Sequence, residues 1–344
     1  MSLRGRLVHG RKPANEGRTS GAGRSSTDFI LMPTITITSA DPALVQAVRA
    51  LEKEVGHTPL HPVTGLFQHP RVRVYAKKEW MQLSGSVKAR AAYSIIRKAI
   101  EEGRLTREKT LLDATSGNTG IAYAHIAKRL GIPVALCLPE NASWERKDIL
   151  RALDVELILT SRFEGTDGAQ QVARELALEN PDKYFYADQY KNDNNWKAHY
   201  HTTAPEIIEA VPDITHFVAG LGTTGTFVGT GRRLRELRPD IQLVSLQPDA
   251  ALHGLEGWKH LETAVVPEIY DACVADSNEE VSTDEAYAMI REAKAREGLL
   301  LSPSAAANLV GTLRIARQLR EGVLVTVLPD NADKYSEIIQ KLLS

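Results

Sequence analysis

The sequence predicts an α/β protein of two domains, each a mostly parallel, twisted sheet covered by helices. Three observations carry this expectation. Strand-like segments alternate with helical ones of roughly ten to fifteen residues along most of the chain. Residues 133–138 form an unbroken apolar run between prolines, as in a parallel strand buried on both faces. Three loops rich in Gly, Ser and Thr, at 84–90, 113–120 and 220–226, stand where a strand should hand over to a helix, the place where such sheets bind ligands.

The elements follow in order. Residues 41–54 are helical in pattern and 72–76 alternate as a half-buried strand. After the first loop, 91–102 reads as a helix closed by Gly103, 109–114 as a strand, and 121–130 as a helix ended by Gly131. Ser143 can cap the next helix; 155–160 is a strand and 168–178 a helix. The rhythm then loosens at 185–205, which predicts a crossing between domains there. In the second half, 204–211, 227–237 and 306–319 read as helices and 215–219, 241–247 and 323–328 as strands. Ser282 and Glu285 form a capping box before a helix running to Arg296, and a last helix follows Lys334.

Composition narrows the function classes. The chain has 344 residues, enough for two cores, with 43% hydrophobic and 25% charged residues. A net charge of -1 provides no field that would recruit nucleic acid or a membrane surface. No apolar run approaches the roughly eighteen residues of a spanning helix. Two cysteines, Cys137 and Cys273, are too few for a disulfide scaffold or a metal knuckle, so a reducing cytoplasmic setting and no metal are expected. Residues 1–40 are set apart. Arg4, Arg6, Arg11, Lys12, Arg18 and Arg24 face only Glu16 and Asp28 over the first thirty positions, as in a disordered or processed basic tail.

The loops suggest chemistry. In 220–226, glycines turn successive backbone N–H groups toward one point, Thr223, Thr224 and Thr226 add hydroxyls, and the following helix adds its positive end, a match for a phosphate. Alone, the loop is equally compatible with a turn that binds nothing. In 115–120, the hydroxyls of Thr115, Ser116 and Thr119 and the free N–H groups of a helix start form a carboxylate-sized cradle; Asn118 adds an amide that both donates and accepts. Lys88 precedes an apolar helix. Buried beside a cofactor it would lose pKa and become an amine nucleophile and base, whereas standing alone it reads as a surface lysine at a helix start.

Ser84 to Arg90 (Ser-Gly-Ser-Val-Lys-Ala-Arg), Thr115 to Gly120 (Thr-Ser-Gly-Asn-Thr-Gly) and Gly222 to Thr226 (Gly-Thr-Thr-Gly-Thr), in this order, resemble the cysteine synthases (O-acetylserine sulfhydrylases) and cystathionine β-synthases. These are pyridoxal-phosphate enzymes of the tryptophan-synthase-β-like fold. His57-Thr58-Pro59-Leu60, Leu138-Pro139-Glu140-Asn141 and Gln189-Tyr190-Lys191-Asn192 extend the likeness, and residues 214–237 are most similar to the cysteine synthase B branch. The resemblance implies a smaller domain at 85–195, and a larger domain built from 41–84 and 196–344 that binds the cofactor's phosphate. It implies that Lys88 forms the Schiff base with pyridoxal 5'-phosphate and that Asn118 meets its phenolic oxygen. Gly222, Thr223, Thr224, Gly225 and Thr226 would hold the phosphate. Thr115, Ser116, Gly117 and Thr119, helped by Gln189, would hold the substrate carboxylate. The implied reaction is β-replacement on an activated serine, O-acetylserine or O-phosphoserine, by a sulfur donor in a cytoplasmic homodimer.

Two segments depart from the pattern, 302–307 (Ser-Pro-Ser-Ala-Ala-Ala) and 329–335 (Pro-Asp-Asn-Ala-Asp-Lys-Tyr). In the family this chain resembles, the second segment supplies the group opposite the pyridine nitrogen. Asn331 there would be neutral, as is the family's usual serine; Asp330 would protonate the ring and stabilise a carbanion more strongly. Both are retained as cofactor-binding candidates. Lys259, in the 252–260 segment, falls where phosphoserine-using relatives carry a basic residue, and is equally compatible with a plain surface lysine. Another β-substitution, with an amine or a thiol such as homocysteine, and a catalytically weakened regulatory relative are the competing expectations.

Overall fold

Strand β2 (Val72–Lys78) and strand β10 (Gly322–Leu328), from opposite ends of the chain, pair in parallel register, Val72 opposite Gly322 and Lys78 opposite Leu328. A computed structural model describes residues 40–115 and 117–343, so the expected tail lies outside the described residues except at position 40, as does Ser116. Around the β2–β10 pair a six-stranded sheet forms with β1 (Leu60–Pro62), β7 (His216–Gly220), β8 (Gln242–Pro248) and β9 (Ser277–Val281), in the order β1-β2-β10-β7-β8-β9. Only the β1–β2 pairing is antiparallel. A second sheet, wholly parallel, takes β3 (Thr110–Ala114), β4 (Val134–Pro139), β5 (Glu156–Thr160) and β6 (Tyr184–Tyr186) in the order β5-β4-β3-β6. The predicted α/β class with mostly parallel sheets is borne out.

Helices connect the strands. In the first half they are α1 (Pro42–Ala50), α2 (Lys88–Glu101), α3 (Asn118–Leu130), α4 (Trp144–Ala152), α5 (Gly165–Glu179), α6 (Asn194–His201) and α7 (Thr203–Ala210). The rest are α8 (Gly225–Leu237), α9 (Thr283–Glu297), α10 (Pro303–Ala316) and α11 (Ser336–Leu343). All six residues of β4 are buried, as its unbroken apolar run predicts. The capping box at Ser282 and Glu285 is present at the start of α9, and Gly131 ends α3 in the left-handed conformation.

Three differences have physical causes. Residues 41–55, expected with the larger sheet, put Leu44, Val48, Leu51 and Val55 into the core of the four-stranded sheet, beside Ile96 and Ile126. The apolar stripe of α1 finds its partner in α2, so its place in the sequence next to β2 does not decide its packing. Helix α2 begins at Lys88, three residues before the predicted start. Ser84 and Gly85 turn the chain through positive φ, and Val87 N–H bonds Pro329 O at 2.8 Å, which starts the helix early. The short strands β1, β6 and β9 were not expected; at three to five residues they are too brief for a period to show.

Candidate active site

Each of the three loops leaves the carboxyl end of a strand and enters a helix. The 220–226 loop runs from β7 into α8, the 115–119 loop from β3 into α3, and the segment after β2 into α2. Lys88, Asn118, Gly222 and Thr223 line one continuous cleft, whose outer part encloses about 270 Å³ and also meets Thr115, Gly117, Thr119, Gln189 and Lys259. The structure therefore brings these predicted residues together.

Lys88 is half-buried and turned to the cleft, and its Nζ has no protein hydrogen-bond partner among the described residues. Burial pulls its pKa below the usual lysine value, and the negative charges of Asp330 and Glu79 only partly oppose this. The positive end of α2 also disfavours an ammonium at this position. Free amine is thus available closer to neutrality than for a solvated lysine.

The 220–226 loop is a cradle that no side chain could share. A Cβ on Gly222 would lie 2.0 Å from Gly257 O, and one on Gly225 would lie 2.1 Å from Asn195 Oδ1. Thr224 adopts φ 70° at the start of α8, a costly conformation for a β-branched residue, and its buried hydroxyl has no partner. Thr223 accepts from Asn195 Nδ2 at 3.1 Å and Thr226 meets His199 Nε2 at 3.2 Å. Burial drives the His199 pKa down to about 3, so this imidazole is neutral beneath the loop. We predict that Gly222→Ala weakens retention of a phosphate-bearing ligand about tenfold or more, because the backbone must move to admit the methyl group. Equilibrium dialysis measures this, and unchanged retention would contradict the cradle.

In the 115–119 loop, Thr115 Oγ1 accepts from Gly117 N–H at 3.2 Å, and Thr119 donates to Gln189 Oε1 at 2.7 Å. Gln189 is buried and its amide also donates to Ala114 O at 3.2 Å, so it braces the loop. Asn118 donates through Nδ2 to Asp330 Oδ2 at 2.8 Å and leaves Oδ1 buried without a partner among the described residues.

Between the two candidates at 330 and 331 the structure separates clearly. Asp330 is fully buried, accepts from Asn118 and from Tyr335 OH (2.8 Å), and has its other carboxylate oxygen unpartnered. Asn331 turns away to Asp333, accepting from its N–H and donating to its carboxylate, and so caps the short turn 332–334. The expectation that Asn331 reaches the site is corrected: a cap at the turn needs that side chain. Lys259 lines the cleft and pairs with Asp167 Oδ1 at 3.0 Å, above the Tyr190 ring.

Arg146 and Asn308 are among the lining residues that were not anticipated. Arg146 of α4 forms an ion pair with Glu256 and lies over the Tyr335 ring. Asn308 of α10 accepts from Gly220 N–H at 2.8 Å and leaves Nδ2 buried without a partner. A lone amide inside Ala305-Ala306-Ala307-Asn308-Leu309 was the available signal for it.

The residues present fit pyridoxal phosphate. Buried polar atoms of Asn118, Thr224 and Asn308 line the cleft of a partly desolvated lysine and lack partners among the described residues, as does one carboxylate oxygen of Asp330 behind Asn118, and a tight glycine loop lies beside them. The comparisons agree. The family described as pyridoxal-phosphate dependent enzyme matches residues 51–330. A cysteine synthase of Aquifex aeolicus is 43% identical, over 84% of this chain and 91% of its own length. Cysteine synthase B of Pseudomonas aeruginosa is 39% identical, over 82% and 93%. The crystal structure of the O-acetylserine dependent cystathionine beta-synthase from Helicobacter pylori superposes with a TM-score of 0.78 at 33% identity, covering 83% of this chain and 96% of that one. With a match over most of its length and a lysine, two Gly- and Thr-rich helix-start loops and orphaned polar atoms facing one cleft, this chain belongs to the family of pyridoxal-phosphate dependent enzymes.

Proposed function

We propose that this enzyme is a cysteine synthase, replacing the β-substituent of an activated L-serine with sulfur to give L-cysteine. The observation that carries the reading is the meeting of Lys88, the 115–119 loop and the 220–226 loop in one cleft. Similarity to proteins named cysteine synthase supports it. When bound, pyridoxal phosphate supplies the electron sink for bond changes at the α and β carbons of the serine. Gly222, Thr223, Thr224, Gly225 and Thr226, at the positive end of α8, hold its phosphate. Thr115, Gly117 and Thr119, with Ser116 between them, hold the substrate carboxylate at the start of α3. Lys88 Nζ, an amine in reach of the cleft, takes the proton from the α carbon. Asn118 would orient the cofactor, and Asp330, hydrogen-bonded to Asn118 Nδ2, would be the residue of the 329–335 segment that acts on it.

O-acetylserine is the donor this cleft favours. Among the described residues lining the cleft, the two cations beyond Lys88, Arg146 and Lys259, are each already paired, with Glu256 and Asp167, so neither is free for a phosphate leaving group. We predict kcat/KM for O-acetylserine at least about tenfold above that for O-phosphoserine, since an unpaired phosphate dianion would meet two engaged cations. Cysteine formation with sulfide, measured with each donor, tests both claims; a preference for O-phosphoserine would reverse the assignment of Lys259, and no cysteine with either donor would overturn the function. The homodimer and cytoplasmic setting belong to the same reading, supported by the likeness to the family, and a monomer mass in sedimentation equilibrium would contradict the former.

A further inference from the structure

One run of buried hydrogen bonds has no part in the reading above. Asp113, the only charged residue within the apolar strand segment Leu111-Leu112-Asp113-Ala114, is fully buried immediately before the 115–119 loop. Its Oδ1 accepts from Ala114 N–H at 2.8 Å. Its Oδ2 accepts from Tyr123 OH at 2.9 Å and from Gln189 N–H at 3.3 Å. No cation pairs with it among the described residues. On the other side of the same residue, Gln189 O accepts from Asn195 Nδ2 at 2.7 Å, and that amide also donates to Thr223 in the 220–226 loop. Both backbone polar groups of Gln189 are thus clamped by side chains, while its own amide holds Thr119 and Ala114 O. The preceding residue, Asp188, adopts φ 46°, so the segment is held in a conformation it would not choose alone.

We propose that Asp113 and Asn195 are positioning residues for donor recognition, clamping the Gln189 backbone at its N–H and its carbonyl so that the donor-binding loop is braced and tied to the phosphate loop. The proposal rests on the reading that the 115–119 loop binds the donor carboxylate. Neither residue lines the cleft, so each acts through Gln189.

The clamp depends on Asp113 accepting three hydrogen bonds, which only its carboxylate form does in full. The groups facing it are Tyr123 of α3, Cys137 of β4, Tyr186 of β6, and Asp188 and Tyr190 after β6, none of them cationic; Arg174 of α5 acts on Asp188 and Tyr186. Burial raises the Asp113 pKa to about 7, aided by Asp188, while the bonds from Ala114, Tyr123 and Gln189 oppose the rise. Protonation as pH falls through that value removes an acceptor and slackens Gln189, so donor KM should rise on the acid side of neutrality.

The test uses the holoenzyme, with kcat, KM for O-acetylserine and visible cofactor absorbance measured between pH 6 and 8.5. Asp113→Asn is expected to raise KM about tenfold, the loss of one or two buried hydrogen bonds, with kcat and absorbance within about twofold and the acid-side rise in KM flattened. Asn195→Ala is expected to raise KM similarly and to weaken cofactor retention, and it tests the clamp even where Asp113→Asn does not fold. Wild-type KM and pH dependence in Asp113→Asn, or wild-type KM in Asn195→Ala, would overturn the proposal. Thr119→Ala separates the two levels: a raised KM there with no change in the clamp variants sinks the clamp alone, whereas an unchanged KM in Thr119→Ala sinks the donor-loop reading on which it rests.

Discussion

Lys88→Ala is expected to lower kcat/KM by at least about 10³-fold, in line with the loss of a positioned general base, without unfolding the protein. The lysine is half-buried and turned to the cleft, and its ammonium makes no hydrogen bond whose removal would leave a partner stranded, so truncation costs the fold little. Its low pKa, set first by burial, has a direction that can be tested. A lysine at its ordinary value would leave activity climbing steeply to high pH. Here the basic limb should level off below that value. The variant should also lose the covalent link to the cofactor while the 220–226 loop still retains the phosphate, so dialysis should remove cofactor faster from Lys88→Ala than from wild type. Activity within tenfold of wild type would remove Lys88 from the chemistry.

Arg90→Met is expected to cost about 3–5 kcal/mol of stability, the range for removing one partner of a buried ion pair. Arg90 is on α2, half a turn beyond Lys88, and is 1% exposed. Its Nε and Nη2 donate to Glu79 at 2.7 and 2.9 Å, and Nη1 and Nη2 donate to Glu206 at 2.7 and 2.8 Å. Lys77 completes a neutral set, pairing with Glu206 at 2.7 Å. Without Arg90, the fully buried Glu79 keeps Thr58 and Gln82 but no paired cation. The pH dependence follows from the carboxylates. Both have folded pKa values below the ordinary 4.5, Glu206 at about 2, so their contribution is present above about 4.5 and is lost as pH falls toward 2. The gap between wild type and Arg90→Met in urea melts should therefore be largest near neutrality and shrink in acid. A gap below about 1 kcal/mol at pH 7 would be the behaviour of a surface pair and would contradict the burial argument.

Much of this architecture was legible because its signals are local. Buried parallel strands such as β4 are continuous apolar runs, and the three ligand loops stand out by composition wherever a strand hands over to a helix. The capping box at Ser282 and the stop at Gly131 were readable for the same reason. What escaped depends on pairing across the chain. Whether Asp330 or Asn331 faces inward is set by Tyr335, Asn118 and Asp333, and no period in the 329–335 segment encodes it. The packing of α1 against the four-stranded sheet, the reach of Arg146 to Glu256, and Asn308 beneath Gly220 are tertiary matches of the same kind. Asp113 and Asn308 did leave a trace, a polar residue inside an apolar element, which a buried role explains and a surface role does not.

The proposed chemistry requires a bond between one nitrogen, Lys88 Nζ, and the cofactor. Purified holoenzyme treated with borohydride, which fixes an imine as a stable amine, can be digested and its peptides weighed. The cofactor's mass should appear on the peptide that carries Lys88 and should vanish from that peptide in Lys88→Ala. Its attachment to another lysine, or to none, would contradict the central claim.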